Sequence, residues 1–337
     1  MTTLHGAPAR FEGGLREIAP GVRAWLQPNG SWGESNAGLV VGDGASLLVD
    51  TLWTPALTRR MLAAMTEATA DAPIRTLVNT HADGDHTWGN QELRGREIVA
   101  SEATRAELGE LTPQTLGAFR RLAAALAAAR PLRLPRSAAG PYVRAMLRPF
   151  DFGGVELVPP TRTFSGTLAL DVGGRRVELI EVGPAHTQGD TLVWVPDARV
   201  LFAADVLFVG VTPVMWAGPV ERWVAALDRI EALDPEVVVP GHGPPSTLAE
   251  VRALRAWWQE IDAATRAHHA AGRTPLEAAR AILASGGDWT RWDNPERIAI
   301  SVHTIYRHLD GRTGVGALDR IRVFADCGTL AEELRSG

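Results

Sequence analysis

The sequence predicts a mixed α/β protein in which two β-sheets stack on each other with helices outside. Short β-rich runs fill residues 22–52 and return from residue 153, and each β-rich half closes on a polar loop. Helical periodicity marks 55–70 and 218–233. Because the halves look alike, each is expected to form one sheet whose strand ends converge on a shared rim.

Composition excludes several classes of protein. The net charge of −5 over 337 residues predicts no basic face for nucleic acid. No apolar run approaches the ~18 residues of a membrane span, so we expect a cytoplasmic protein without a membrane partner. One cysteine, Cys327, and no lysine exclude internal disulfides, sites built on several thiolates and lysine Schiff bases. Any metal must therefore be held by nitrogen and oxygen.

The first half of the chain predicts a hairpin, a helix, a strand and a polar loop, in that order. Two apolar runs, 39–41 and 47–49, flank the turn Gly42-Asp43-Gly44. Residues 55–70 have helical spacing and end before Asp71-Ala72-Pro73, and the run 74–79 is typical of a buried strand.

The middle of the chain predicts a helical insertion followed by a second set of strands. Residues 102–148 are rich in Ala, Leu and Arg, and three prolines break their periodicity. This segment serves either as packing or as a substrate lid. The β pattern then returns at 155–158, 168–170, 177–180, 192–195, 200–203 and 237–239.

The last part of the chain is predicted to be mostly helical. Residues 248–271 form one long periodic stretch, and Thr274-Pro275-Leu276-Glu277 is typical of a helix start. We therefore expect a main domain over 1–245, which contains the 102–148 insertion, and a helical extension over 246–337 packed on that core.

The strongest chemical signal is the hexapeptide HADGDH at residues 81–86. It follows a strand and puts four side chains that bind divalent metals on one loop: His81, Asp83, Asp85 and His86. Three more candidates each follow a predicted strand: His186, Asp205 and His242. Since strand ends meet at one rim, these seven residues are expected to share one site.

Four histidines and three aspartates suit two metal ions about 3.5–4 Å apart. We expect the first metal at His81, Asp83 and His186, the second at Asp85, His86 and His242, and Asp205 as the bridge. The remaining histidines are expected to have other roles. His268 and His269 should be exposed, His303 and His308 structural, and His5 part of a mobile N-terminus.

The order of these residues resembles the metallo-β-lactamase superfamily over residues 20–245. That resemblance implies an αββα sandwich with a dinuclear site at one edge. Asp50, in the run LLVDT, matches the family's structural aspartate and is expected to orient the ligand loop by hydrogen bonds. The family loop usually reads HxHxDH, and Asp83 replaces its middle histidine. Zinc is the first expectation, and this oxygen donor makes iron or manganese the alternatives.

A finer resemblance concerns the metallo-β-lactamase-like cyclases of aromatic polyketide pathways. The segments SNAGLVVGDGASLLVDT, VLFAADVLFVGVTP and PEVVVPGHGP are similar to theirs. This resemblance implies metal-assisted aldol cyclisation and dehydration of a polyketide, and we keep it as the alternative.

The family resemblance implies a dinuclear hydrolase in which metal-bound hydroxide attacks an ester, thioester or lactone carbonyl. Asp85 and Asp205 are the expected catalytic residues. The partner is expected to be a small-molecule or carrier-bound acyl substrate, and a homodimer is one option for assembly. A minor alternative is a non-catalytic metal-binding protein. The expected substrate contacts are Trp32, Asn36, Thr212 and Trp216, although the tryptophans could equally cap the apolar core.

Overall fold

A computed structural model describes residues 2–128, 137–312 and 316–336 of the chain. The N-terminal part forms a seven-stranded sheet in which the strands lie in chain order. The first four strands pair with one another in antiparallel orientation, and the fourth to the seventh pair in parallel orientation. The strands are β1 Gly14–Ala19, β2 Val22–Leu26, β3 Ala37–Val41, β4 Ser46–Val49, β5 Ile74–Val78, β6 Glu97–Ser101 and β7 Arg162–Phe164.

The second sheet has five strands, in the spatial order β12-β11-β10-β9-β8. They are β8 Thr167–Val172, β9 Arg175–Glu181, β10 Thr191–Val195, β11 Val200–Phe208 and β12 Val237–His242. Only the β11–β12 pair is parallel among these. The two sheets bury a shared apolar layer, in which Val40 and Leu47 of the first belong to one cluster with Val193 and Phe202 of the second. The predicted stacking of two sheets is confirmed.

Ten α-helices are found in the described part of the chain. Three lie in the predicted insertion and four in the predicted C-terminal extension, so both helical regions are confirmed. None of the described helices has the length and apolar character to cross a membrane. The helices are α1 Pro55–Ala64, α2 Gly84–Thr87, α3 Glu102–Glu107, α4 Pro113–Ala128, α5 Ala139–Leu147, α6 Val220–Leu233, α7 Leu248–Ala270, α8 Pro275–Ser285, α9 Ile298–Leu309 and α10 Ala317–Ser336.

Three predicted elements differ from the structure. The strand predicted at 155–158 has no regular structure, and β7 begins only after Pro159 and Pro160, which cannot donate to a sheet ladder. The helix predicted over 55–70 ends at Ala64. Beyond its end, the hydroxyls of Thr66 and Thr69 donate to the backbone carbonyls of Leu62 and Met65, and such side-chain hydrogen bonds compete with a regular helix. The strand predicted at 200–203 continues as β11 to Phe208, so Asp205 lies inside a strand rather than after one.

The C-terminal helices share the core of the second sheet. Trp223 of α6 and Trp258 of α7 pack in one cluster with the β11 residues Val206 and Leu207. The indole N–H of Trp223 donates to the carbonyl of Val206 at 2.9 Å. In a separate apolar cluster, Phe324 of α10 packs against the helices of the insertion. The insertion and the extension therefore meet above the sheet edge that bears the candidate ligands.

Candidate metal centre

One strand of the first sheet and three strands of the second deliver the candidate ligands to one edge of the sandwich. The loop after β5 carries the HADGDH segment, and its second half forms the short helix α2. His186 lies in the loop after β9, Asp205 lies within β11, and His242 is the last residue of β12. Parallel strands such as β11 and β12 end at the same rim, so these residues meet despite long sequence separations.

Asp205 lies at the centre of this group. Its Oδ2 is 3.3 Å from Nε2 of His186, 3.3 Å from Nε2 of His242 and 4.0 Å from Nε2 of His81. Its Oδ1 is 3.2 Å from Nε2 of His86. One buried carboxylate thus faces the ε nitrogens of all four histidines from the sequence-predicted set.

The backbone around Asp205 is shaped for this position. Ala204 has a φ of 46°, in the left-handed region, and the β11–β12 register shifts on either side of it. In β12, a Cβ on Gly241 would lie 1.9 Å from Oδ1 of Asp205, so only glycine allows this approach. The bulge turns the carboxylate out of the sheet toward the histidines.

Hydrogen bonds to the δ nitrogens fix three of the imidazoles. Nδ1 of His186 lies 2.6 Å from the carbonyl of Val214, which can only accept, so it carries the proton. Nδ1 of His86 lies 3.0 Å from Oδ2 of Asp50, and Nδ1 of His81 lies 3.0 Å from Oγ1 of Thr80. In the neutral form, which is the form that binds a metal, each of these imidazoles would carry its proton on the δ nitrogen and present a bare ε nitrogen on the side of Asp205.

Asp50 joins two of these contacts. It accepts hydrogen bonds from the backbone N–H of Thr80 at 2.8 Å and from the Thr80 hydroxyl at 2.7 Å. The hydroxyl has then used its proton, so it accepts from His81. Asp50 has a φ of 61°, a left-handed conformation that aspartate tolerates better than most residues. One carboxylate therefore orients both histidines of the HADGDH loop.

The unpaired atoms of the group fit a metal. Three buried atoms have no hydrogen bond in the described part of the structure: Nε2 of His81, Nε2 of His86 and Oδ1 of Asp205. The last two lie 3.2 Å apart but form an ion-pair contact rather than a hydrogen bond. Buried polar atoms are rarely left unpaired, because their desolvation is costly. Two sets of three could each hold an ion: His81, His186 and Asp205, and Asp85, His86 and His242. Nitrogen and oxygen donors of this kind suit zinc, iron or manganese.

The charges of the group also favour a cation. Burial lowers the pKa of His186, but the carboxylates of Asp205 and Asp83 outweigh burial and raise this pKa to about 10. Burial raises the pKa of Asp205, but the surrounding histidines outweigh burial and hold this pKa well below its usual range. The same carboxylates that attract a proton to the imidazoles attract a divalent ion.

Asp83 lies beside this group rather than within either set of three. Its Oδ2 is 3.2 Å from Nε2 of His186, and its side chain is 35% exposed. Burial raises the pKa of Asp83, but the hydrogen bond and charge of His186 bring it down to about 2, so it is an anion at neutral pH. Asp85 lies closer to the second set, with Oδ2 at 3.6 Å from Nε2 of His242.

A cavity of about 900 Å³ opens above the candidate ligands. Trp32 and Trp216, two of the predicted substrate residues, line it together with Phe119, Leu116 and Phe324 from the insertion and α10. Its walls come mainly from apolar side chains, which is typical of a pocket for a small organic molecule.

The other two predicted substrate residues lie outside the cavity lining. Asn36 is buried, and its amide donates to the carbonyls of Pro240 and Gly243, so it holds the backbone around His242. Thr212 is buried, and its backbone N–H donates to the carbonyl of Asp293. A sequence pattern identifies these polar residues but does not show which way they point.

Glu107 and Arg297 also line the cavity, and the sequence analysis did not single them out. Glu107, the last residue of α3, accepts a hydrogen bond from the backbone N–H of Gln188 at 3.0 Å. Burial raises the pKa of Glu107 to about 7. Arg297 comes just before α9 and reaches the cavity from the C-terminal extension. Neither residue lies in a motif, and only the packing of the helices reveals them.

The remaining histidines lie outside the two sets of three. His269 pairs with Asp310 at 2.9 Å and His303 with Asp326 at 2.7 Å. His268 and His269, which were expected to be exposed, are only partly exposed, and His308, which was expected to be structural, lines the cavity. His5 differs from the expectation of a mobile terminus, because its Nε2 is 2.8 Å from the carbonyl of Trp32 and its ring packs edge-on against Phe150.

A family model described as the metallo-beta-lactamase superfamily matches residues 30–242, more than half of the chain. The chain therefore belongs to the metallo-beta-lactamase superfamily, whose members are mostly hydrolytic enzymes. The matched residues include all seven candidate ligands.

Two curated relatives are similar over part of their length. The chain is 27% identical over 209 residues to the 2,4-dinitroanisole O-demethylase subunit alpha of Nocardioides sp. (strain JS1661). This match covers 60% of this chain and 51% of the relative. The chain is 28% identical over 217 residues to a linear primary-alkylsulfatase of Pseudomonas sp. (strain ATCC 19151), with coverage of 59% and 39%. The chain thus matches about half or less of these relatives.

Solved structures share the fold. The sec-alkylsulfatase Pisa1 from Pseudomonas sp. superposes on 88% of this chain and 50% of its own, with a TM-score of 0.65 and 18% identity. A metallo-beta-lactamase from Pontibacter korlensis covers 74% of this chain and 99% of its own, with a TM-score of 0.52 and 19% identity. The alkylsulfatase fold therefore accounts for more of this chain than the lactamase fold does.

Replacing Asp50 by asparagine is predicted to weaken metal binding by about 10–100-fold, the usual effect of losing a residue that orients a ligand. The charge that keeps the proton on Nδ1 of His86 is removed, while the size of the side chain is retained. Competition with a chromophoric chelator measures the affinity. Asp43→Asn, at an exposed turn, is the matched control. An unchanged affinity in Asp50→Asn would show that this contact does not orient a ligand.

Glu107 is predicted to make the metal-free protein less stable as the pH rises. Its pKa is about 7 in the folded protein against a usual 4.5, so the folded state holds the proton more tightly. This stabilisation is complete below about pH 4.5 and is lost as the pH rises through about 7. Urea unfolding of chelator-treated protein across this range should show a larger loss in the wild type and in Glu102→Gln than in Glu107→Gln, in which Asp190, whose burial raises its pKa to about 6, still contributes. The same loss in all three proteins would refute the assignment.

Proposed function

We propose that this protein is a metal-dependent hydrolase that uses two divalent cations to cleave an ester-type bond of an apolar substrate. One observation carries the proposal: four histidines converge on the buried carboxylate of Asp205 at the base of an apolar cavity. A site of this kind joins metal chemistry to the binding of an organic molecule.

In this proposal each set of three residues holds one cation. His81, His186 and Asp205 would hold the first ion, and Asp85, His86 and His242 the second. Asp205 faces the histidines of both sets, so its two oxygens can serve both ions. Asp83, beside His186, would complete the first set as an oxygen ligand. Zinc is the first expectation, with iron or manganese favoured to the extent that Asp83 takes part.

Two divalent ions bound in this way would lower the pKa of a water molecule toward neutrality and neutralise negative charge on the substrate. The protein's own residues have complementary roles. Asp85, a member of the second set, also lines the cavity, where its carboxylate could accept a proton from the attacking water. Glu107, with a pKa of about 7, can give a proton to the leaving oxygen at neutral pH.

The relatives are consistent with an ester-type or ether-type bond. One is named for O-demethylation of 2,4-dinitroanisole and the other for cleavage of alkyl sulfates. Both names describe an oxygen attached to an apolar carbon group. The aromatic side chains Trp32, Trp216 and Phe119 provide flat apolar surface for such a group.

Cyclisation of a polyketide remains the second candidate, and the cavity is the observation that favours it. Its volume of about 900 Å³ and its aromatic walls would accept an elongated polyketide as well as a smaller ester. The two reactions differ in mass balance, because hydrolysis adds water to the substrate and cyclisation with dehydration removes it. Mass spectrometry of products from both substrate classes would therefore separate them.

Asp205→Ala is predicted to lower turnover by more than about 100-fold. This exceeds the largest usual effect of losing a residue that only orients a metal ligand, because Asp205 would itself be a ligand. The experiment screens aryl esters, thioesters, lactones and alkyl sulfates with protein loaded with zinc, manganese or iron. Asp197→Ala, an exposed aspartate of the β10–β11 turn, is the control and should retain the wild-type rate. Full turnover by Asp205→Ala would refute a dinuclear site built on this carboxylate.

A further inference from the structure

Arg297 has an unusual environment for an arginine. It is 1% exposed, yet it lines the cavity above the candidate ligands. Its Nε and Nη2 are buried without a hydrogen-bond partner among the residues that the structure describes. Its chain neighbour Glu296 does not pair with it and instead accepts a hydrogen bond from the Tyr142 hydroxyl at 2.8 Å. A buried guanidinium is costly unless an anion pairs with it.

Among the described residues, the Arg297 guanidinium makes its close contact with an aromatic ring. Its Cζ lies 4.0 Å from the centroid of the Trp32 ring, and the Trp32 indole N–H donates to the Tyr142 hydroxyl at 3.1 Å. Stacking of this kind holds a guanidinium flat against the ring but satisfies none of its N–H groups. The edge of the guanidinium is the part that pairs with two oxygens of a carboxylate or sulfate.

The C-terminal extension supplies the arginines of the cavity lining, although the acidic residues Glu296 and Asp85 act on the charge of Arg297 itself. The C-terminal extension contributes Arg297, Arg307, Arg312 and Arg320 to the lining. Among the described residues it contributes no carboxylate to that lining. The acidic groups lie elsewhere, in the ligand set and at Glu107 and Glu110 of the insertion. The lining therefore has carboxylates at the ligand end, which suit cations, and arginines on the side of the extension, of which Arg312 pairs with Asp319 at 3.5 Å and Arg297 keeps donors that suit an anion.

We propose that Arg297 binds an anionic group of the substrate, a carboxylate or a sulfate, while the apolar body lies between Trp32, Trp216 and Phe324. The substrate class is then an acidic aromatic or alkyl compound whose reacting bond lies near Asp205. This inference rests on the proposed function, because it takes the cavity as the substrate site. The anion replaces the missing hydrogen-bond partners of the guanidinium, and its charge offsets the cost of burying that group.

The experiment measures binding without catalysis. Chelator-treated protein is titrated by calorimetry with naphthoate and with neutral naphthamide, which differ in charge but share the aromatic body. The wild type is expected to prefer naphthoate by about 10-fold or more, because hydrogen bonds to charged groups are worth that much. Arg297→Met should lose this preference and still bind naphthamide. Arg280→Gln, an exposed arginine paired with Glu333 outside the cavity, should keep it.

Stability separates a binding role from a structural one. Because Nε and Nη2 of Arg297 have no hydrogen-bond partner among the described residues, Arg297→Met should melt at or above the wild-type temperature, whereas a structural arginine would lower it. If the methionine variant does not fold, Arg297→Lys decides the question. Lysine keeps the charge but not the flat pair of donors, so a preference lowered by at least about 3-fold supports the proposal.

The proposal is overturned if the wild type binds the two probes equally, or if the preference survives in the variants of Arg297. Addition of zinc and a screen of carboxylated and uncarboxylated aryl esters then tests hydrolysis separately. A protein that prefers naphthoate but hydrolyses nothing would refute the proposed function and retain the anion site. A hydrolase without the preference would refute only the anion site.

Discussion

The structure depends on the burial of one carboxylate, Asp205, among four imidazoles. An isolated carboxylate at this depth would be strongly destabilising. Protonated histidines offset its charge, and the hydrogen bonds at the δ nitrogens orient the rings so that a bound cation could do the same. The irregular register of β11, the lack of a side chain at Gly241 and the hydrogen bonds of Asp50 all serve this arrangement. A change in any of them moves a donor atom away from its partners.

The sheets and the helices have separate tasks. The strand ends and the irregular middle of β11 determine where the donor atoms lie, and a buried β-sandwich suits ligands that must be positioned closely. The insertion and the C-terminal extension close over that edge and form the cavity, with Phe324 of α10 packed against the helices of the insertion. Much of the apolar lining and its arginines thus come from the insertion and the extension, while the cation-binding groups come from the strands of the sandwich and the loops that follow them. Relatives that keep the sandwich could alter their substrates by changing these helices alone.

Much of this arrangement is visible in the sequence. Strand periodicity followed by His or Asp identified the seven candidate residues, because a strand end is a local pattern. The fold class was predicted for the same reason. Asp83 shows the limit of this reasoning, since spacing alone does not tell that its carboxylate lies beside His186 and outside the set of three. Glu107 and Arg297 were not predicted, because a helical residue reaches the cavity only through tertiary packing. Asn36 was expected at the substrate and instead holds the backbone beside His242.

The central claim is that Asp205 joins two groups of ligands, each of which holds one cation. Metal stoichiometry tests it most directly, by elemental mass spectrometry of protein dialysed against each of zinc, manganese and iron. The account predicts close to two ions per chain for the wild type with at least one of these metals, as expected for two three-residue sets that share a carboxylate. A maximum of one ion, or none with every metal, would contradict it.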